Sequence, residues 1–229
     1  MSQKKSKRFK KILDAVEDRK PLTIDVAIKK VKMNCTTKFD ESIDVSFKLN
    51  LKQKKEEATI RTVVKLPNGN GKKCKVAVLC EESKINDAKS SGADLYCNEN
   101  LINDINNGKI NFDKIVSTPA MMPKVGKLGK ILGPKGLMPN PKLGTVTNNI
   151  KSVVKAIKTG QIEIKNDKDG NIAASIGRKS FSDEKIKANY NSILETISKE
   201  RPKNIKGNFI QSTFLTSSMG ISYKLKLSA

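Results

Sequence analysis

From Ile43 to Leu51 every second residue is apolar: Ile43, Val45, Phe47, Leu49 and Leu51 alternate with Asp44, Ser46, Lys48 and Asn50. Side chains along a strand point to opposite faces with a period of two, so this run predicts a strand with one buried face and one wet face, the habit of antiparallel sheets. The same habit returns after residue 160. Ile162 and Ile164 alternate with Glu163 and Lys165, Asn166-Asp167-Lys168-Asp169-Gly170 supplies a hairpin turn, and Ile172, Ala174 and Ile176 lead back. Two further strands are predicted at Phe209 to Leu215 and Ile221 to Leu227, joined at Ser217-Ser218-Met219-Gly220. Near the start, Thr59 to Leu66 predicts another, with Ile60, Val64 and Leu66 inward, after a charged connection at Lys52 to Glu57.

Between these regions the pattern changes. Beyond the break Pro67-Asn68-Gly69-Asn70-Gly71, the continuous apolar run Val76 to Leu79 suits a strand covered on both faces. Asp94 to Tyr96 and Lys114 to Ser117 fit two more parallel strands, with helices at Ser83 to Lys89 and Asn98 to Asn107. No GxGxxG follows the first of these strands, so a dinucleotide fingerprint is absent. Helices with one apolar stripe are predicted after Thr23 (Ile24, Ala27, Ile28, Val31), after Asn148 (Ile150, Val153, Val154, Ile157, ending at Gly160) and after Ser182 (Ile186, Tyr190, Ile193, Leu194, Ile197, ending before Pro202). A short basic helix is expected at Phe9 to Glu17, with residues 1–8 disordered.

The expected fold class is mixed α/β (α+β) in two domains. Residues 1–67 and 161–229 form a discontinuous antiparallel α+β domain from both chain ends, and residues 68–160 an inserted three-layer βαβ Rossmann-like domain. Two chain crossings join them, and motion about a hinge is the default expectation.

Charge narrows the function. The chain carries 45 Lys plus Arg against 23 Asp plus Glu, a formal net charge of +22, an imbalance that calls for a polyanion as partner. No apolar stretch approaches the roughly 20 residues that span a bilayer, so a membrane is not that partner. The positive charge is also segregated: between Asp113 and Glu163 there is no acid, while Glu81 to Asp113 is acid-rich. There is no histidine, which removes the commonest general base and metal ligand. The cysteines, Cys35, Cys74, Cys80 and Cys97, match neither zinc-ligand nor redox spacings and read as reduced thiols. Neither a metal nor a cofactor is expected.

The segment from Pro119 to Val146 interleaves glycines, prolines and lysines: Lys124, Lys127, Lys130, Lys135 and Lys142 alternate with Gly126, Gly129, Gly133, Gly136 and Gly144. Such a loop can grip phosphates without reading bases. It lacks the GxxxxGK[ST] order and any nearby acid to hold Mg²⁺, so a nucleotide-hydrolysing loop is disfavoured. Leu128, Ile131, Leu132, Leu137 and Met138 are too apolar for a flexible linker.

Gly126-Lys127-Leu128-Gly129 through Pro139-Asn140-Pro141-Lys142-Leu143-Gly144-Thr145-Val146 resembles the signature of the ribosomal protein L-one family. Lys38-Phe39-Asp40-Glu41, Asn166-Asp167-Lys168 and Ser218-Met219-Gly220 fall, in order, where that family has its other motifs, so the likeness covers nearly the whole chain and resembles the bacterial branch. The resemblance implies a structural, non-enzymatic constituent of the large ribosomal subunit in the cytoplasm. Its partners would be a mobile stalk of large-subunit ribosomal RNA, deacylated tRNA in the exit site and its own operon messenger, and it would be monomeric when free. The RNA surface carried over is Lys38, Phe39, Ser42 and Asp44, Asn166 and Lys168 in the hairpin, and Ser212, Ser218, Met219 and Gly220, with the five lysines of 119–146 adding phosphate contacts. Short hydroxyls and exposed backbone suit ribose 2′-hydroxyls and a shallow groove, with Phe39 and Met219 supplying apolar surface. Ser42 and Asp44 stand where the family more often has Thr and Glu, Ser217-Ser218 replace a Thr pair, and Ile221 follows Gly220 where Pro is frequent. A non-specific nucleic-acid coat is the rival reading.

Overall fold

The computed structural model describes residues 6–14, 16, 20–51, 60–96, 99–202, 205 and 207–227. The chain divides into two compact units, 1–71 with 163–229, and 72–162.

In the unit made from both ends of the chain, four strands form an antiparallel sheet in the order β7-β1-β8-β9: β1 Ser42–Leu49, β7 Asn171–Arg178, β8 Ile210–Ser217 and β9 Tyr223–Lys224. The central strand obeys its period of two: Ile43, Val45, Phe47 and Leu49 are buried, while Ser42, Asp44, Ser46 and Lys48 are half-exposed. The buried face is covered by α2 (Ile24–Met33) and α8 (Asp183–Lys199), through Ala27, Ile28 and Val31 on one and Ile186, Tyr190, Ile193 and Ile197 on the other. Phe47 stacks on Tyr190 with ring centroids 6.1 Å apart, a geometry that adds to simple area burial. The Lys32 ammonium, on α2, bonds the Asp183 carboxylate at 2.5 Å and the Phe181 carbonyl, tying α2 to the start of α8. Thr23 and Ser182 occupy the N-cap positions, but neither side chain makes the capping bond. Gly170 closes the turn that enters β7 with φ of +76°, and a Cβ there would crowd the Leu49 carbonyl at 3.1 Å, so only glycine suits it.

The last two predicted strands differ in extent: β8 continues to Ser217, and β9 is only two residues long. It is prolonged by Leu22, which bridges Leu225 in parallel. The strand predicted at Thr59 to Leu66 is observed as β2, Arg61–Lys65, pairing with β6, Gln161–Lys165; Thr59 and the connection Lys52 to Glu57 lie outside the described residues. The hairpin predicted across 166–170 is therefore not formed: β6 pairs with β2 and β7 with β1, and residues 166–170 make a tight turn that carries the chain from one sheet to the other. The basic helix predicted at Phe9 to Glu17 is α1, Lys7–Asp14, so Lys7 and Arg8, expected to be disordered, are helical; residues 1–5 lie outside the described residues.

The second unit contains a parallel sheet in the order β4-β3-β5: β3 Val76–Leu79, β4 Leu95–Tyr96 and β5 Lys114–Ser117. All four residues of β3 are buried, as a strand covered on both faces requires. On one face Ala77, Leu79 and Ile115 pack with α4 (Glu99–Asn106), α5 (Met122–Lys127) and α6 (Gly129–Leu132); on the other Val76, Val78 and Val116 pack with α3 (Ile85–Ser90) and α7 (Ile150–Lys158). The cap of α7 is Asn149, whose side chain accepts the Ser152 amide; Asn148, the predicted cap, accepts the Lys84 ammonium instead at 2.9 Å.

The glycine- and proline-rich segment is not an open loop. It folds into α5, α6 and two 3-10 turns, and Val125, Leu128, Leu132 and Leu143 are buried. The reason lies in spacing. Val125, Leu128 and Leu132 recur at helical intervals, and their burial against the parallel sheet outweighs the poor helix propensity of the glycines between them.

Candidate nucleic-acid interface

The wet face of the antiparallel sheet is assembled by register. Asp44 stands opposite Ser175 on β7 and Thr216 on β8; Ser46 opposite Ala173 and Phe214; Lys48 opposite Asn171 and Ser212. Residues paired across strands share a face, so Ser42, Asp44 and Ser212 of the predicted surface lie on one wall with Ser46, Ser175 and Thr216. That wall carries the hydroxyls of Ser42, Ser46, Ser212 and Thr216 around Asp44, Lys48 and the half-buried Phe214, while the Ser175 hydroxyl is buried.

At one end of it two turns meet. The first runs Thr37–Glu41. Here the Thr37 hydroxyl donates to the Phe39 carbonyl at 3.2 Å, and the Asp40 carboxylate accepts the Ser180 amide at 3.1 Å and hydroxyl at 2.8 Å. Arg178 donates to the Asp40 carbonyl at 3.2 Å. Lys38 and Phe39 project from this turn, Phe39 being 54% exposed. The second turn is Ser218–Gly220. The Ser218 amide donates to the Ser42 carbonyl at 3.0 Å and its Oγ accepts the Ser42 amide at 3.1 Å, continuing the sheet by one step. Met219 is 50% exposed. A Cβ at Gly220 would run into the Ser217 hydroxyl, which would have to turn away to admit it. Two large apolar side chains are thus held in water on turns braced by hydrogen bonds at Thr37, Asp40, Ser218 and Met219, an arrangement that lowers the ordering cost of binding.

Asn166, Lys168 and Ser212 are at the other end of the wall, with Lys48. From Ser42 to Lys48 is six residues of strand, about 20 Å, so the structure divides the predicted surface into two groups. Lys48 donates to the Asp169 carbonyl at 2.6 Å. Asp167 shapes the 166–170 turn by accepting the Asn171 amide at 2.6 Å and side chain at 2.8 Å, and the Asp169 amide at 3.0 Å. Those bonds, the Asn171 amide foremost, hold its pKa below the ordinary carboxylate value. Lys168 is exposed at the tip. Asn166 is engaged in the fold itself: its Oδ1 accepts the Ile60 amide at 2.7 Å and its Nδ2 donates to the Asp167 carbonyl at 3.0 Å.

Two residues of this end of the molecule escaped the sequence reading of the surface. Glu41 is fully buried beneath the two turns. Its carboxylate accepts the Thr37 hydroxyl at 2.8 Å, the Thr37 amide at 3.3 Å and, across the sheet, the Met219 amide at 3.2 Å. Burial pushes its pKa up, but the donors around it pull harder and the net shift is downward. The Ser217 hydroxyl is among them electrostatically, although it makes no hydrogen bond of good geometry. The signal was present in the sequence: Glu41 has the parity of Ile43, Val45 and Phe47, so an alternating strand must turn it inward. Arg8, on α1, donates to the Met219 carbonyl at 2.7 Å and to the Thr36 hydroxyl at 3.0 Å; no local pattern pairs residue 8 with residue 219.

In the second unit Lys124 and Lys127 project from α5, Lys130 from α6, Lys135 from the following turn and Lys142 from a 3-10 turn, and all are exposed. Among the described residues no cluster of His, Cys, Asp and Glu could hold a metal ion, and no helix is long and apolar enough to cross a membrane. Cys35 and Cys80 are buried, Cys74 is half-buried, and Cys97 lies outside the described residues.

Residues 29–221 match the model of the Ribosomal protein L1p/L10e family. This chain belongs to that family. It is similar to the large ribosomal subunit protein uL1 of Pelagibacter ubique (strain HTCC1062), with 55% identity over 223 residues covering 97% of each chain. It is also similar to uL1 of Kosmotoga olearia, with 45% identity over 97% of this chain and 96% of the relative, and to uL1 of Prochlorococcus marinus (strain NATL1A), with 44% identity over 97% and 94%. Membership of the L1 family, on the bacterial side, makes this a structural ribosomal protein and not an enzyme.

Proposed function

We propose that this chain binds a folded stalk of large-subunit ribosomal RNA through the hydroxyl-rich wall of its antiparallel sheet. It works as a structural constituent of the large ribosomal subunit on the cytoplasmic ribosome. The observation that carries the reading is the pair of turns at the end of β1 and β8, which hold Phe39 and Met219 half in water beside Ser42 and Ser218 in a chain of net charge +22. Hydroxyls and exposed backbone meet ribose 2′-hydroxyls, and the two apolar side chains cover sugar or base surface. Lys38 and Lys168, at opposite ends of the wall, take phosphates on either side. Lys124, Lys127, Lys130, Lys135 and Lys142 add sequence-independent phosphate contacts from the second unit. Asn166, already spent on the β2–β6 pairing, acts by shaping the turn into β7 more than by touching RNA.

On the ribosome the same binding places the chain beside the exit site, where it assists release of deacylated tRNA. Off the ribosome the free monomer binds a messenger that imitates the stalk and represses its own operon. Both depend on one surface, so a variant that weakens stalk RNA weakens the messenger in proportion.

The test is binding to folded stalk RNA and to a scrambled RNA of equal length across a salt series, with wild type and Met219→Ala. A preference of about a hundredfold for the fold at physiological salt, narrowed by Met219→Ala, supports the reading. Equal affinities that fall together with salt identify a non-specific coat and overturn it.

A further inference from the structure

We infer that Glu41 is a positioning residue for the RNA surface: from beneath, it locks the Thr37–Glu41 turn to the Ser218–Gly220 turn and so sets where Phe39 and Met219 stand. This rests on the proposed function and deepens it.

The geometry leaves the carboxylate no other task at the surface. Glu41 is 0% exposed and touches no solvent, so it cannot contact RNA. Its oxygens are divided between the two turns: Oε1 takes the Thr37 hydroxyl and amide, and Oε2 takes the Met219 amide, 178 residues away. The Glu41 backbone is anchored separately, its carbonyl accepting the Lys179 amide at 2.9 Å. The side chain is therefore free to act as a bridge while the main chain stays with β7. A buried carboxylate is costly unless hydrogen-bonded, and here the donors come from the two segments that carry the exposed apolar side chains. The downward shift of its pKa shows that those donors outweigh burial, which keeps the acceptor-only form that both turns require.

Glu41→Gln keeps the shape but sets an NH₂ donor against groups that are themselves donors. Removing a negative charge would by itself strengthen the binding of any RNA to this cationic chain, so weaker binding of folded RNA by a variant that still folds points to misplaced turns. The experiment measures, on the full chain, the affinity for folded and scrambled RNA and the hydrogen exchange of the Thr37 and Met219 amides. The expected result for Glu41→Gln is a loss of about tenfold or more for folded RNA, no loss for scrambled RNA, and exchange at both amides faster by at least about tenfold than at the amides of Val45 and Phe47 in the same sheet. Thr37→Val, which deletes one donor at a half-buried site, follows in the same direction with a smaller effect and decides the matter if Glu41→Gln does not fold. Unchanged amide exchange, or undiminished affinity for folded RNA in a wild type that prefers it, overturns the inference. A wild type that does not prefer folded RNA overturns the proposed function instead, while amide exchange still shows whether Glu41 joins the turns.

Discussion

In the antiparallel sheet, β1 buries Ile43, Val45, Phe47 and Leu49 and leaves Ser42, Asp44, Ser46 and Lys48 half-exposed; in the parallel sheet, β3 buries Val76, Ala77, Val78 and Leu79 without exception. The difference decides what each sheet can do. A sheet covered on both faces spends all its side chains on its core, and the cationic groups of that unit must stand on helices and turns outside it. A sheet covered on one face keeps a second face on which rigid backbone holds polar side chains at fixed spacing. Rigid elements position a binding surface better than loops do. Under the proposed function, shape recognition therefore belongs with the antiparallel sheet, and charge alone with the lysines of the parallel unit.

Substitutions can break this comparison, and the largest effects belong to the cores. Phe47→Ala and Leu79→Ala should each cost about 2–5 kcal/mol of stability, measured by denaturant unfolding, whereas Ser46→Ala, between Val45 and Phe47 on the wet face, should change it by less than about 0.5 kcal/mol. A large loss from Ser46→Ala would mean the wet face is a second core. Next come the turns. Phe39→Ala and Met219→Ala should each weaken folded-RNA binding by about 1–3 kcal/mol with the melting temperature unchanged, because both side chains are half in water already. Neutralising Lys124, Lys127, Lys130, Lys135 and Lys142 together should flatten the salt dependence by up to about 0.9 in log–log slope per lost contact with duplex, while leaving the ratio of folded to scrambled RNA as it was. A collapse of that ratio would place recognition in the parallel unit.

The smallest effect is with pH. Glu41 has a folded pKa below its ordinary value of 4.5, so its contribution is complete above that value and is lost as pH falls through the lower, folded one. Asp94 behaves alike, held down first by its bond from the Val76 amide at 2.9 Å and then by Lys158. Acid titration of stability should thus show a limb below about pH 4.5 that Glu41→Gln and Asp94→Asn each make shallower. The groups facing Glu41 are Thr37, Ser217, the Met219 amide and Cys35, whose carbonyl accepts the Lys179 ammonium; burial raises the Cys35 thiol's pKa, which keeps it neutral through this range.

Periodicity in the sequence already determined most local structure: which residues of β1 face inward, that β3 is covered twice, where α2, α7 and α8 lie, and that the chain is α+β at its ends with a parallel sheet between. Phe39, Ser42 and Met219 were marked by the family resemblance, not by periodicity. Strand and helix faces follow from repeats of two and 3.6, which are properties of the chain alone. The form of residues 119–143 did not follow, because their glycines and prolines argue for loop and only burial of Val125, Leu128 and Leu132 against the sheet makes them helical. Nor did the bond from the Met219 amide to Glu41, the reach of Arg8 to the Met219 carbonyl, or the separation of Asn166 and Lys168 from the turns by the length of a strand. Those depend on the β1–β8 register and on where α1 docks. Partners so far apart in the chain are chosen by the packing of whole elements, and no short window of sequence contains both.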